Sequence, residues 1–160
     1  MNYQHTPVLL KECIEGLAIR PGGVYLDGTL GGGGHSAKIL ESLGPGGRLY
    51  GIDRDEAALS ASAARISDAR FFPVHGNFHD AKALLAERGV TSLDGALLDL
   101  GVSSPQLDDA ARGFSYHEDA PLDMRMDRSQ RLTARTIVNE WPEAEIARIL
   151  REYGEENWST

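Results

Sequence analysis

The most restrictive feature of this sequence is a glycine-rich stretch that follows a short apolar segment. Val24, Tyr25 and Leu26 suit a buried strand, and residues 31–34 are four consecutive glycines. Because they have no Cβ, glycines allow positive φ angles and let a ligand approach the main chain closely. The apolar spacing of residues 35–43 predicts a helix whose first amides are unpaired and face the turn. A strand, glycine turn and helix in this order are typical of a nucleotide-cofactor site, although a glycine run also occurs in plain flexible loops.

A carboxylate ends the second predicted strand, residues 48–53. Asp53 lies 20 residues after Gly33, close to the spacing at which an acid binds ribose hydroxyls in dinucleotide-binding folds. A carboxylate suits this task because it accepts hydrogen bonds from both hydroxyls of a diol. The alternative is that Asp53 caps the following helix, a position that Asp55 suits at least as well.

Strand and helix patterns alternate four times along the first hundred residues. The predicted strands cover residues 24–26, 48–53, 70–74 and 93–100, and the helices cover residues 8–17, 35–43, 55–66 and 79–88. This alternation predicts an α/β fold with a doubly wound, mainly parallel sheet between two helical layers. Thr6 and Asn77 are expected to cap the first and fourth helices, and Pro73 indicates an edge strand or a strand end. No later strand is predicted, so the sheet is expected to be incomplete with one uncovered edge.

The pattern changes after the fourth strand, which is nearly continuous in apolar residues as in enclosed parallel strands. Residues 101–131 show no sustained periodicity, and long irregular segments of this kind are usually functional. Two helices are then predicted, over residues 133–141 and 142–153, with Gly154 as the final C-cap. The expected domains are residues 1–104, an α/β domain, and residues 105–160, the start of a helical insertion.

Composition restricts the classes of protein to which the chain can belong. Its 160 residues suit one soluble globular domain, and it has neither a membrane-spanning apolar run nor a signal-peptide pattern. A single cysteine, Cys13, forms no intrachain disulfide, so a cytoplasmic location is expected. The net charge of −8 disfavours nucleic-acid binding by the whole surface but allows a local basic patch. No metal site is predicted.

Two further candidate residues follow the third and fourth strands, where ligands bind in such sheets. Phe78 is suited to stack on an adenine, or equally to pack in the core at a helix start. Asp99 follows an apolar strand, and a carboxylate buried there needs a partner. We favour a functional role for Asp99 over the alternative that it caps the turn at Ser103 and Ser104.

Several motifs together resemble the RsmH/MraW family of bacterial 16S ribosomal RNA cytosine-N4 methyltransferases. They are spread over most of the chain and cover residues 5–9, 27–36, 53–55, 76–78, 99–106, 112–115 and 121–127. The resemblance implies a Rossmann-like methyltransferase fold of class I and S-adenosyl-L-methionine as the cofactor. By motif position, Gly33, Gly34 and His35 would contact its methionine end, although a histidine at a helix start is often merely exposed. Asp53 would bind the ribose.

The remaining expected cofactor contacts are Phe78, Asp99 and Gln106, near the adenine. The implied reaction is methyl transfer to the N4 amine of a cytosine in 16S ribosomal RNA of the small subunit. Acceptors that hold the hydrogens of this amine would expose its nitrogen, and Asp99, Ser103 and Ser104 are the candidate catalytic residues. The loop over residues 99–108 departs from the proline-proline-aromatic pattern of other amino-methyltransferases.

Positive charge on the expected RNA side comes from five arginines. They are Arg112, Arg125, Arg128, Arg131 and Arg135. Residues 101–160 nevertheless contain 12 acidic residues against 7 basic ones, so each arginine fits a solvated face of mixed charge equally well. Binding of RNA phosphates is therefore suggested by the resemblance more than by the charges.

Relatives in this family are expected to be longer, and we therefore expect the chain to be truncated at its C-terminus. Two alternative functions remain: an NAD-dependent oxidoreductase, to which the glycine turn and Asp53 also fit, and a non-catalytic truncated domain that binds cofactor. The uncovered edge of the sheet predicts a homodimer formed through the fourth strand.

Overall fold

The computed structural model describes residues 7–159. It divides into two compact units, the first ending at Gly101 and the second beginning at Val102. The boundary that we expect between residues 104 and 105 separates two functional domains, and it remains a prediction. The expected helix cap at Thr6 and the first two residues of the motif at 5–9 lie outside the described residues.

The first unit is built around a parallel sheet of four strands, ordered β3-β2-β1-β4. The strands are β1 (Val24–Asp27), β2 (Arg48–Asp53), β3 (Phe71–His75) and β4 (Gly95–Leu97). The helices are α1 (Leu10–Leu17), α2 (Gly34–Ser42), α3 (Glu56–Arg65) and α4 (Ala81–Ala86), with a 3-10 helix at Phe78–Asp80. Three helix-linked crossovers join the strands: those through α2 and α3 run to one side of β1, and the one through α4 returns to its other side. This confirms the α/β class and the doubly wound order.

Two apolar clusters form the core of this unit, one on each face of the sheet. The first joins strand residues Tyr25, Leu49 and Phe71 to Leu30 and to α2 residues Ile39 and Leu40, with partly buried residues of α1 and α3 packed against it. The second joins Leu26, Tyr50, Ile52 and Val74 to Leu85 of α4. Alternate residues of each strand therefore enter opposite layers, as the period of two in a strand requires.

Local sequence explains how the helices begin. Asp55 is the N-cap of α3, and its carboxylate accepts a hydrogen bond from Ala57 N at 3.0 Å; Asp55 therefore takes the capping position considered for Asp53. Asn77 caps the 3-10 helix at Phe78–Asp80 by accepting a hydrogen bond from His79 N. The single helix expected over residues 79–88 is thus divided into a 3-10 turn and α4.

The two edge strands, β3 and β4, differ in how well the sequence predicts their position and length. β3 lies at one edge, as Pro73 indicates. β4 lies at the other edge and contains only three residues, so the expectation of an enclosed strand over residues 93–100 is wrong. Leu98 and Leu100 lie beyond the end of β4 and are 48% and 68% exposed.

The second unit is mainly helical. It contains α5 (Ser104–Asp108), a 3-10 helix at Ala110–Arg112, α6 (Ala134–Glu140) and α7 (Glu143–Gly154). The helix at residues 104–108 lies inside the segment expected to be irregular. Gly154 is the last residue of α7 and not its C-cap; Glu155 takes that position with a left-handed φ of 55°.

Candidate functional site

A buried carboxylate organises the start of the turn after β1. Asp27 is the last residue of β1 and is 1% exposed. It accepts hydrogen bonds from the Ser36 hydroxyl at 2.7 Å and from Thr29 N at 3.2 Å. Burial raises the pKa of Asp27, because desolvation disfavours the ionised carboxylate more than these two bonds favour it. Asp27 thereby joins the strand, the turn and α2. Its position directly before the glycine stretch is the signal that could have identified it from sequence.

The same turn is hydrogen-bonded to the end of β2. Gly31, with a positive φ of 49°, donates its main-chain N–H to Oδ2 of Asp53 at 2.8 Å. Oδ1 of Asp53 accepts the N–H of Asp55 at 2.9 Å. Each carboxylate oxygen has capacity for a second acceptor bond, and the side chain is only partly buried. Asp53 therefore combines a fixed orientation with free acceptor capacity.

Phe78 lies against the first glycine of the turn. A Cβ placed on Gly28 would lie 3.2 Å from Cβ of Phe78 and 2.5 Å from Cδ2 of Leu98. Only glycine allows this close approach, because any side chain at residue 28 would push Leu98 or Phe78 away. Phe78 is 38% exposed, so it is not a fully buried core residue, and part of its ring is accessible to a ligand.

Asp99 is attached to the turn through its main chain. Its N–H donates to Oγ1 of Thr29 at 2.7 Å, and its side chain is exposed. The expectation that this carboxylate ends a buried strand is therefore wrong, since β4 stops at Leu97. Among residues 7–101, no group donates a hydrogen bond to the Asp99 carboxylate. Ser103 and Ser104, the residues of the turn that Asp99 would alternatively cap, lie outside this range.

Three strand ends thus meet at one turn. Gly28 contacts Phe78, Thr29 holds Asp99, and Gly31 holds Asp53. A ligand at this turn would have main-chain amides, one aromatic face and two carboxylates within its reach. This is the carboxyl edge of a parallel sheet at the position where the strand order reverses, which is where nucleotide cofactors bind.

The next glycines serve the packing of the chain itself. Gly33 has φ of 74°, and a Cβ on it would lie 2.8 Å from Cδ1 of Ile66; a Cβ on Gly34 would lie 2.4 Å from Cγ of Pro7. His35 is only 6% exposed, and its Nε2 lies 3.0 Å from the Val8 carbonyl oxygen. The alternative of a merely solvent-exposed His35 is therefore wrong.

The second unit places Gln106 and Ser103 in a helix cap. The two form a capping box at the start of α5, in which Ser103 N donates to Oε1 of Gln106 at 2.9 Å. Gln106 is buried, and Ser104 is the first residue of the helix. Both Ser103 and Gln106 thus have a structural role within their own unit, which the spacing Ser-x-x-Gln could have indicated.

Two of the five arginines expected to face RNA are bound internally. The Arg112 guanidinium is buried and donates to the carbonyl oxygens of Arg125 and Met126, each at 3.1 Å. The Arg125 guanidinium chelates the Asp123 carboxylate through Nε and Nη2 and holds the pKa of that carboxyl at about 2. The exposed arginines are Arg128, Arg131 and Arg135.

The sheet order, the glycine turn and the acid after β2 define a nucleotide-cofactor-binding α/β domain. More particularly, the chain belongs to the MraW methylase family, whose model matches residues 2–160. This confirms the family indicated by the sequence motifs and identifies the domain as one of the Rossmann-like methyltransferase type.

Curated relatives carry the name "ribosomal RNA small subunit methyltransferase H". The one from Symbiobacterium thermophilum is 54% identical over 162 residues, covering 100% of this chain and 51% of the relative. The one from Heliobacterium modesticaldum is 55% identical, covering 99% of this chain and 52% of the relative. This chain therefore spans about half the length of the curated relatives it matches.

The likeness of the chain to one solved structure is weak. A crystal structure described as a putative rRNA-methylase from Clostridium thermocellum is 18% identical, with a TM-score of 0.44, and covers 49% of this chain and 48% of that one. A likeness of this degree carries no argument about function. Among the described residues, no helix has the length and apolar character needed to cross a membrane.

Proposed function

We propose that this chain is the cofactor-binding part of an S-adenosyl-L-methionine-dependent methyltransferase that acts on the N4 amine of a cytosine in 16S ribosomal RNA. The observation that carries the proposal is the contact of residues 28–31 with Asp53, Phe78 and Asp99. Membership of the MraW methylase family and the names of the relatives support methylation of small-subunit ribosomal RNA, and the cytosine N4 amine is proposed from the motif resemblance. A methyltransferase acting on ribosomal RNA works in the cytoplasm, which is the location we propose.

The residues at the turn fit the proposed cofactor. Asp53 binds the two ribose hydroxyls with the acceptor capacity that Gly31 and Asp55 leave on its oxygens. Phe78 stacks its exposed ring on the adenine. Gly31 and Gly32 have no close neighbours on the side where a Cβ would project, so the main chain there is open to a ligand.

The residues at the start of α2 are proposed to support the methionine end. Gly33, Gly34 and His35 set the path of the chain into the helix, where main-chain N–H groups lack intrahelical partners. Gln106 belongs to the second unit, and its proposed assignment to the cofactor rests on the motif resemblance alone. The capping box that it forms with Ser103 fixes its side chain.

Asp99 is the residue that we assign to catalysis. When bound, the cofactor supplies a methyl group activated by its sulfonium. The task of the protein is then to align the amine with that methyl group. Asp99 is fixed at its main chain by Thr29 and has an exposed carboxylate, which accepts a hydrogen bond from an N–H group of the cytosine amine. Ser103 and Ser104 belong to the second unit, and their proposed role as further acceptors rests on the motif resemblance alone.

A cofactor-binding measurement separates the methyltransferase from the NAD-dependent oxidoreductase. We expect S-adenosylhomocysteine at 100 times its Kd to stabilise the chain by about 2.7 kcal/mol, and NAD to have no effect. The readout is the shift in Tm on titration with each compound. Stabilisation by NAD alone would replace the proposal with the oxidoreductase.

A transfer measurement separates an active enzyme from a non-catalytic domain. Radiolabelled S-adenosyl-L-methionine is incubated with small ribosomal subunits and either this chain or its Asp99→Ala variant. Label on the RNA with the unaltered chain and a loss of at least tenfold with the variant supports the proposal. Equal background in both, together with binding of S-adenosylhomocysteine, would show a domain that binds cofactor without turnover.

A further inference from the structure

An open groove lies in the first unit at the amino-terminal end of β2 and of its edge neighbour β3. It has a volume of about 590 Å³ and is lined by Arg48, Tyr50, Phe71, Phe72, Pro73 and Arg88. None of these residues belongs to the turn at 28–31 or to its three contacts. Arg48 and Asp53 are the first and last residues of β2, so their Cα atoms are separated by about 17 Å at ~3.3 Å per residue. The groove is therefore a separate feature from the proposed cofactor site.

An aromatic pair forms the floor of the groove. Tyr50 and Phe72 are partners in the β2–β3 register, and their rings are stacked with centroids 5.1 Å apart and planes at 22°. Tyr50 is buried, but Phe72 is 38% exposed. Because β3 is an edge strand, the outer ring faces open space and presents a flat aromatic surface that is already held in place by the inner ring.

Two arginines flank this aromatic surface. Arg48 is exposed and has no salt bridge among the described residues. Arg88 is anchored by a hydrogen bond from Nη1 to the Leu84 carbonyl oxygen at 2.7 Å, and its recorded ion pair is a loose one with Glu87 at 3.8 Å. Guanidinium groups carry five N–H donors each, so both arginines retain donors for an anion.

The charge of the groove is opposite to that of the chain. None of its six lining residues is acidic, although the whole chain has a net charge of −8. An anionic partner is therefore attracted here. A partner that has flat rings as well as negative charge uses the whole surface, whereas an acidic peptide uses only the two arginines.

We propose that this groove binds a single-stranded segment of the RNA substrate, with one base stacked on Phe72 and backbone phosphates paired with Arg48 and Arg88. The inference rests on the proposed function, because RNA is the substrate only under that proposal. Stacking on an aromatic side chain and phosphate pairing with arginine are the two contacts by which proteins hold single strands without reading their sequence. Arg48 lies about 17 Å along β2 from Asp53, and the groove shares no lining residue with the proposed cofactor site, so we regard it as a holding site apart from the reacting base.

The test is fluorescence anisotropy of this chain with a labelled, unstructured uridine dodecamer. The double variant Arg48→Ala/Arg88→Ala is expected to bind at least tenfold more weakly. Its slope of log K against log salt is expected to be shallower by about 1.4, since each phosphate contact on a single strand contributes about 0.7. The variant Phe72→Leu is expected to lose about fivefold or more, which corresponds to one stacked base.

The matched control removes two positive charges elsewhere on the same unit. Lys11 and Lys82 are exposed and lie outside the groove, so Lys11→Ala/Lys82→Ala is expected to change affinity by less than twofold. If the alanine variant of the arginines unfolds, Arg48→Gln/Arg88→Gln keeps the length and polarity of both side chains. Cooperative melting of each variant is checked in the same buffer.

Three results would overturn the proposal: no binding of the dodecamer, equal losses in the arginine and lysine variants, or unchanged affinity in Phe72→Leu. A labelled glutamate dodecamer provides the comparison with an acidic peptide; binding as tight as that of RNA, with the same dependence on Arg48 and Arg88, would assign the groove to acidic proteins. The Tm shift with S-adenosylhomocysteine is measured on the same samples. A chain that is stabilised by it but fails the RNA tests contradicts only the groove, whereas failure of stabilisation contradicts the proposed function.

Discussion

Gly31 donates its main-chain N–H to Oδ2 of Asp53 at 2.8 Å, which joins the turn after β1 to the end of β2. The other carboxylate oxygen of Asp53 accepts the N–H of Asp55 at 2.9 Å. The acid that we assign to the ribose is therefore oriented by two main-chain amides before any ligand arrives. Such preorganisation reduces the ordering that a ligand has to impose on binding.

Replacing this carboxylate by an amide is the first prediction. Asp53→Asn keeps one acceptor oxygen but turns an NH₂ group toward a main-chain N–H, so one of the two bonds is lost. The ribose hydroxyls then face an amide and no longer a charged carboxylate. Because hydrogen bonds to charged groups contribute about 1.5–3 kcal/mol, affinity for S-adenosylhomocysteine should fall by about 10- to 100-fold in calorimetric titration. Asp55→Asn is the control, since asparagine caps helices as well as aspartate. An affinity within twofold of the unaltered chain would contradict the ribose assignment.

The second prediction compares two neighbouring glycines. Gly33→Ala places a Cβ at a left-handed φ of 74°, 2.8 Å from Cδ1 of Ile66 and 3.3 Å from Cβ of Ser62. The left-handed conformation alone costs an L-residue about 1–2 kcal/mol, so the Tm should fall by several degrees. Gly32→Ala should have little effect, because nothing lies within 4 Å of its Cβ position. Equal Tm values for the two variants would show that the turn tolerates a side chain at residue 33.

A third prediction concerns the pH dependence of stability. Burial is the largest influence on Asp27 and raises its pKa above the ordinary value of 3.8; His35 and Asp53 act on it with opposite signs. Because the folded state holds this proton more tightly than the unfolded state, the stabilising contribution is complete below pH 3.8. It is lost as the pH rises through the folded pKa.

The corresponding measurement is urea unfolding of the unaltered chain and of Asp27→Asn over a pH series. The amide does not titrate, so the free energy of unfolding of the unaltered chain should fall relative to the variant as the pH rises from about 3.8 and should then level off. Parallel curves for the two proteins would mean that Asp27 has the same pKa in the folded and unfolded states.

The fourth prediction is that the chain self-associates through β4. This strand lies at the edge of the sheet, and Leu100, three residues after its last residue, is 68% exposed. Light scattering after size-exclusion chromatography should give the mass of a dimer for the unaltered chain and that of a monomer for Leu100→Lys, since a charge beside an edge strand opposes pairing. Leu107→Lys, an exposed position of the second unit, should remain dimeric. A monomeric unaltered chain would contradict the prediction.

Sequence patterns predicted those parts of the fold that depend on neighbouring residues. The order of strands and helices, the cap at Asp55 and the edge position of Pro73 all follow from short-range rules. The same rules were insufficient for β4. A run of leucines is compatible with either a central or an outer strand, and only the position of the strand in the sheet determines its burial.

The candidate site shows the same division. The glycine turn and Asp53 were identified from spacing, and the structure places them in direct contact. The neighbour of His35 could not be identified, because Val8 lies 27 residues away along the chain and no local pattern records such a contact. For Ser103 and Gln106, the sequence contains the spacing of a capping box, whereas the motif resemblance indicates a catalytic role for Ser103 and a cofactor contact for Gln106.

The contacts of the turn after β1 also restrict the length of the loop that can connect β1 to α2. Three closely spaced positions in it are committed to different partners: residue 28 to Phe78, residue 29 to Asp99 and residue 31 to Asp53. Inserting or deleting a single residue would shift every partner by one place at once, and no side-chain change elsewhere could restore all three. We therefore expect chains with this arrangement to vary in length at other loops while the count of residues between β1 and α2 stays constant.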